Sequence, residues 1–155
     1  MPISKLLTAF TILMKNQIIC FLLVVNSSIL FSQVKQTEVN TVVKNMKTQE
    51  LAWNEADIAG FMKYYWKSDS LKFIGSKGIT YGWQKTYDNY VKGYPTKEAM
   101  GILTFTIKEA TQLSETSIYV IGQWQLNKEK PAGGYFTLLW KKINNEWVIV
   151  ADHTS

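Results

Sequence analysis

The spacing of apolar side chains changes at Met100, and this change constrains the fold more than any other feature of the sequence. Before Met100, apolar residues recur every three or four positions, which is the spacing of one face of an α-helix. After it they alternate with polar residues, which is the spacing of a half-buried strand. Helices followed by strands predict an α+β domain in which the helices cover one face of a largely antiparallel sheet.

Three helices are predicted before Met100. The first covers residues 35–53. The second follows Asp57, a good N-cap residue, and runs through Tyr65. The third covers residues 83–91 and is ended by Gly93-Tyr94-Pro95. The apolar stripe of the first helix is predicted to comprise Val39, Val42, Val43, Met46, Leu51 and Trp53.

Two short strands, at 71–74 and 79–81, are predicted between the second and third helices. Four longer strands follow as an antiparallel meander, since turn signals separate them: Glu115, the Pro131–Gly134 loop and Asn144-Asn145. Their predicted ranges are 101–112, 116–127, 134–144 and 146–154.

The N-terminal segment has the pattern of an export signal. Lys15 precedes the apolar run 18–25, and the small residue Ser32 follows. The run is too short and too interrupted for a stable membrane span, although an uncleaved anchor is the competing interpretation. We therefore predict a signal peptide over 1–32, with Met14 as a candidate true start, and a single domain over 33–155. The mature protein would be secreted or periplasmic and, once the signal is removed, free of the membrane.

Charge and cysteine usage exclude several classes of function. All 17 basic residues are Lys, and Arg is the residue that reads phosphates and guanine edges in bidentate fashion, so a nucleic-acid partner is not expected. Without residues 1–32, 15 Lys face 12 acids, a net charge of +3. The only cysteine, Cys20, falls in the predicted signal, and His153 is the only histidine. Neither a metal site nor a cofactor is predicted.

The ordered motifs of the chain resemble the nuclear transport factor 2-like superfamily, in its SnoaL-like branch. The resemblance covers nearly all of residues 36–155 and rests on Ala52-Trp53-Asn54 with Asp57, Tyr65-Trp66 with Asp69, Gly82-Trp83, Tyr94-Pro95, Met100-Gly101, Gly122-Gln123-Trp124 and the ending 147–155. It implies a cone-shaped α+β barrel, with three helices packed on a curved sheet and a pocket at the open end.

The resemblance does not choose between functions. The ending, with Trp140, Trp147, His153 and Ser155, is also similar to the association domain of calcium/calmodulin-dependent kinases, which is a scaffold. Ketosteroid isomerase, another relative, is an enzyme. A fold shared by scaffolds and enzymes leaves the activity to be argued from the site.

Asp152 and His153 are the sharpest polar pair in the sequence, and they are the candidate catalytic residues. Neighbours on a regular strand point to opposite faces, so only one of them faces a pocket unless a bulge intervenes. Asp152 in an aromatic pocket would be a general base, and His153 would transfer protons near neutral pH. The candidate ligand-binding residues are Trp53, Tyr65, Asp69, Tyr87, Gln123 and Phe136.

Two classes of function remain open at this point. The first is a dimeric exported protein that binds a small apolar or aromatic molecule, with or without proton transfer by Asp152 or His153 as in an isomerase or hydrolase. The second is a non-catalytic dimerisation module, whose sheet would present Trp124, Trp140 and Trp147 to a second copy. An open cavity above about 300 Å³ with polar groups inside it would favour the first.

Overall fold

The structure is a computed structural model and describes residues 14–15 and 36–155. Most of the predicted signal, including Cys20 and the cut after Ser32, lies outside the described residues; Met14 and Lys15 are helical. The chain forms two compact units, 1–37 and 38–155, and the second carries the fold described below. In the described part, no helix is long and apolar enough to cross a membrane.

Four helices and six strands make up the domain. The helices are α1 (36–54), α2 (Ile58–Met62), α3 (Trp83–Gly93) and α4 (Lys97–Met100). The strands are β1 (Lys72–Gly75), β2 (Gly78–Tyr81), β3 (Ile102–Ser114), β4 (Ser117–Asn127), β5 (Ala132–Ile143) and β6 (Glu146–Thr154). The predicted α+β class is confirmed, and α4 is an addition that the sequence prediction missed.

The sheet has the order β2-β1-β6-β5-β4-β3. β3 to β6 form the predicted meander, and the turn between β5 and β6 places Asn144 and Asn145 at positive φ, as a tight hairpin turn requires. The β1–β2 hairpin adds to the far side, where β1 runs parallel to β6. This pairing brings Phe73 beside Asp152.

The core lies between the helices and the inner face of the sheet. Val42, Met46 and Trp53 of α1 are buried, as predicted. Val43 and Leu51 are wrong members of the predicted stripe, because their side chains are 36% and 55% exposed. The buried face continues instead through the polar residue Gln49, whose amide donates a hydrogen bond of 2.9 Å to the carbonyl oxygen of Phe61.

Side chains of α1 also hydrogen-bond to β3, the strand at one edge of the sheet. The Asn54 amide oxygen accepts from the Leu103 N–H at 2.7 Å, and its Nδ2 donates to the Leu103 carbonyl at 3.1 Å. Glu50 accepts from the Phe105 N–H at 2.7 Å. These side chains take the place of a neighbouring strand, so the start of β3 does not leave its backbone groups unpaired.

Candidate functional site

A cavity of about 650 Å³ lies between the inner face of the sheet and the helices. Nine of its 25 lining residues are aromatic, and α1, α2, α3 and all six strands contribute to its walls. The exposed β1–β2 turn, with Ser76 and Lys77, lies at its rim together with Lys92 of α3. The aromatic residues that line it are Trp53, Phe61, Tyr65, Phe73, Tyr90, Tyr94, Phe105, Trp124 and Phe136.

Asp152 is the acidic residue of this cavity, and its side chain is 3% exposed. The Tyr65 hydroxyl donates to Asp152 Oδ2 at 2.6 Å. The Thr154 hydroxyl donates to Oδ1 at 2.5 Å. Each carboxylate oxygen thus accepts one hydrogen bond from a neutral hydroxyl and keeps a second lone pair.

A bulge in β6 places Asp152, and not His153, in the cavity. Trp147 and Ile149 face the core, so regular alternation would bring Ala151 and His153 inside. The pairing with β5 shifts between Leu139 and Trp140, and Val150 is left without a partner in the register. Beyond this extra residue the phase is reversed: Asp152 is buried in the cavity and His153 is exposed on the outer face.

Burial dominates the ionisation of the groups around Asp152. It raises the pKa of the Asp152 carboxyl, against the hydrogen bonds from Thr154 and Tyr65 and the neighbouring His153, which lower it. Burial, with the charge of Asp152, raises the pKa of both the Tyr65 and the Tyr90 hydroxyls well above their ordinary value. Both phenols therefore remain neutral hydrogen-bonding groups, and the carboxyl is the group that changes charge.

Gly122 sets the position of one wall. A Cβ at Gly122 would lie 2.3 Å from Cζ of Phe136, so only glycine lets that ring rest on the backbone of β4. The Phe136 ring then meets Phe105 edge-to-face at 5.4 Å between centroids. The glycine on one strand and the aromatic ring on its neighbour together define this side of the cavity.

The structure brings together some of the predicted site residues and separates others. Trp53, Tyr65 and Phe136 line the cavity with Asp152. Three other predicted ligand-binding residues and His153 are not among the lining residues. Asp69 is exposed beside Gly82; Tyr87 stacks on Trp83, with centroids 5.2 Å apart; and Gln123 lies on the outer face of β4.

Several lining residues were missed at the sequence level. Thr86 and Tyr90 stand four residues apart and so share one face of α3, and the ring of Tyr94, the C-cap residue of that helix, stacks on Tyr90 with centroids 6.2 Å apart. The aromatic pair Trp83 and Tyr87 has the same spacing of four on a neighbouring face of α3. The sequence alone therefore does not say which of the two faces lines the cavity. Phe61, Phe105 and Thr154 are further lining residues outside the predicted site.

The tryptophans assigned to a dimer face belong to the interior. Trp140 is fully buried and Trp147 is 4% exposed, while Trp124 lines the cavity. Trp147 is fixed by a hydrogen bond of 2.5 Å from its Nε1 to Glu38 of α1. The assignment was wrong because the pattern of alternation does not say which of the two faces the helices cover.

Among residues 14–15 and 36–155, no group of three or more His, Cys, Asp or Glu side chains is arranged to hold a metal ion.

A solved structure supplies the family. The chain is similar to a nuclear transport factor 2-like protein of unknown function from Shewanella oneidensis, with 41% identity, a TM-score of 0.73 and coverage of 75% of this chain and 97% of that one. The chain belongs to the nuclear transport factor 2-like superfamily. The resemblance seen in the sequence motifs and the expected cone fold are thereby confirmed.

Two other solved structures, each under 20% identical to this chain, share its fold. A ketosteroid isomerase-like protein from Erwinia carotovora is 18% identical, with a TM-score of 0.63 over 76% of this chain and 95% of that one. A protein from Xanthomonas campestris described as a calcium/calmodulin dependent protein kinase II association domain is 14% identical. Its TM-score is 0.57, over 74% of this chain and 84% of that one. No family model and no curated protein matches the chain.

Proposed function

We propose that this nuclear transport factor 2-like protein binds a small apolar or aromatic molecule in the cavity around Asp152. The cavity itself carries the proposal, because 650 Å³ lies within the usual range for ligand sites, about 300–1,000 Å³. Its composition also fits that class, with aromatic and aliphatic walls around a buried carboxyl and with exposed polar side chains at the rim. A buried carboxyl costs free energy, and dimerisation alone does not require one inside an open cavity.

Binding is tested with N-phenyl-1-naphthylamine, a neutral dye whose emission rises in apolar surroundings. We expect saturable binding that weakens at least about fivefold in Tyr90→Leu, which removes a ring from the wall and its hydroxyl. Tyr87→Leu is the matched control on the same helix, since its ring stacks on Trp83 away from the cavity. No saturable binding, or equal effects of the two variants, would overturn the proposal.

Proton transfer by Asp152 is a second candidate, favoured by the raised pKa of its buried carboxyl. In this mechanism the carboxylate removes a proton from a carbon next to a carbonyl and later returns one. Phenylacetone in D₂O is a suitable probe, because proton NMR follows the exchange of its α-protons. Exchange above the buffer rate that is lost in Asp152→Asn supports catalysis; an unchanged rate in that variant excludes it.

Export is a proposal that rests on the sequence of residues 1–32. The Lys15, apolar and small-residue pattern supports removal of this segment in the native cell. Intact-mass spectrometry of protein purified from that cell is expected to give an N-terminus near Gln33. A mature chain that still carries residues 18–31 contradicts the proposal.

A further inference from the structure

Among the described residues, Asp152 has hydrogen-bond partners and forms no ion pair, and the adjacent His153, exposed on the outer face, acts on it only through its charge. The two ion pairs found in the described part of the chain join Lys47 to Glu50 and Lys142 to Glu38. The lysines nearest the cavity, Lys77 and Lys92, are exposed at its rim. Buried charged groups in proteins are normally paired, so this carboxylate is an exception that calls for an explanation.

Two hydroxyl groups donate to the carboxyl oxygens, an arrangement that stabilises the ionised form. Oxygen–oxygen distances of 2.6 Å to Tyr65 and 2.5 Å to Thr154 are typical of hydroxyls that donate to a carboxylate. Both donors are neutral, so they leave the negative charge in place. Each carboxyl oxygen keeps a second lone pair, and these lone pairs can accept from a ligand because Asp152 lines the cavity.

The surrounding walls suit a positive charge. The faces of aromatic rings carry negative potential and attract ammonium and guanidinium groups, most strongly where water is excluded. Two of these rings are those of Tyr65 and Tyr90, whose hydroxyl groups interact with each other beside Asp152. A carboxylate in an aromatic-lined cavity is an arrangement that favours cations over both neutral and anionic groups.

We propose that the ligand of this cavity is an organic cation, whose ammonium-type headgroup pairs with Asp152 and contacts the aromatic walls. This inference rests on the proposed function, since it names the chemical class of the molecule that the cavity binds. The exposed lysines at the rim act weakly against it, because solvent and salt screen surface charges over about 10 Å.

Three probes of one shape separate charge from size. Benzyltrimethylammonium, neopentylbenzene and benzylsulfonate each place a benzyl group on a compact tetrahedral head, which is positive, neutral or negative. Binding is followed through the fluorescence of the cavity tryptophans, Trp53 and Trp124. We expect the cation to bind at least about tenfold more tightly than its neutral analogue, and the anion to bind most weakly.

The variant Asp152→Asn keeps the size of the side chain and removes its charge. We expect it to bring the affinities for the cation and the neutral probe to within about twofold of each other. Asp69→Asn is the matched control, because it removes an exposed carboxylate outside the cavity and should keep the tenfold preference.

The pH dependence of the wild-type protein gives a second measurement in case Asp152→Asn does not fold. Binding of the cation should fall as Asp152 is protonated on acidification, while binding of the neutral probe stays level. His153→Gln is a control for the neighbouring imidazole, which lies on the outer face. The other titratable or charged side chains that line the cavity are those of Tyr65, Tyr90, Tyr94, Lys77 and Lys92.

Each outcome decides the matter. Equal binding of the cation and the neutral probe would overturn the cation proposal and leave the small-molecule site intact. Preference for benzylsulfonate would overturn it as well and would indicate recognition by Lys77 and Lys92. Failure of all three probes and of N-phenyl-1-naphthylamine would overturn the site itself.

Discussion

Burial and hydrogen bonding act in opposite directions on Asp152. Burial makes the charged form costly and raises the pKa, and the hydroxyls of Tyr65 and Thr154 reduce that cost by donating to the two oxygens. Position in the chain gives a different expectation, since residues close to a terminus usually matter little to the core. The parallel pairing with Phe73 explains the difference, because β1 covers this end of β6.

The stability of the protein should therefore depend on pH through Asp152. The folded-state pKa lies above the unfolded value of about 3.9, so the folded protein holds this proton more tightly. The resulting contribution to stability is complete below the unfolded pKa and is lost as pH rises through the folded pKa. We expect the melting temperature of wild type minus that of Asp152→Asn to fall as pH rises from about 4 towards neutrality.

Differential scanning calorimetry across that range measures the difference directly. The other carboxyl groups are common to both proteins, so their effects cancel. Asp69→Asn serves as the control for loss of an exposed carboxylate. A difference that stays constant, or that rises with pH, would show that burial does not govern this carboxyl.

Gly122 provides a second test at the residue scale. In Gly122→Val, the new side chain would meet the Phe136 ring, whose Cζ lies 2.3 Å from the Cβ position. Because the ring must move, we expect a loss of about 1–3 kcal/mol in the free energy of unfolding, measured with urea. Phe136→Leu should recover part of that loss in the double variant. Purely additive losses would contradict the contact.

The edge strand β3 depends on side chains of α1, and this can be measured at the scale of elements. Asn54→Ala removes both hydrogen bonds to Leu103 and leaves a partly buried N–H and carbonyl without those partners. Unsatisfied groups of this kind cost about 1–3 kcal/mol each, so we expect clear destabilisation. Glu55→Ala, one residue further on and exposed, should change stability by no more than about 0.5 kcal/mol.

Amide hydrogen exchange would localise the effect of Asn54→Ala. The Leu103 and Phe105 amides should lose protection before the interior of β4 does, since both donate to side chains of α1. A uniform loss of protection over the whole sheet would show instead that Asn54 acts on global stability alone.

Local pattern was enough to predict most elements but not the relations between them. Asp57 caps α2 as expected, with its Oδ1 accepting from the Gly60 N–H at 2.8 Å. The bulge at Val150 depends on pairing with β5, and no local signal marks it. For the same reason, the sequence could narrow the polar site to Asp152 or His153 without choosing between them. Likewise, the covered face of the sheet follows from packing, which is why Trp140 and Trp147 were placed on the wrong side.

The outer face of the sheet is the feature that bears on assembly of the whole molecule. With the tryptophans inside, this face is formed on β4 to β6 by half-buried apolar and small polar side chains. Its half-buried members are Tyr119, Ile121, Gln123, Thr137, Leu139, Val148 and Val150, and the exposed His153 lies on the same face beside Thr137. Apolar surface of this kind suits contact with an identical copy, because a two-fold interface uses the same patch on both subunits.

We propose that the protein forms a homodimer through this face. Light scattering on a sizing column at micromolar concentration should give twice the mass of one chain, since stable interfaces of this type are large and apolar. Ile121→Lys places a charge in the middle of the face and should give a monomer with unchanged helix and strand content by circular dichroism. Leu113→Lys is the matched control: its side chain is 62% exposed at the end of β3, so the dimer should persist. A wild-type protein with the mass of one chain, or a dimer that survives Ile121→Lys, would exclude this interface.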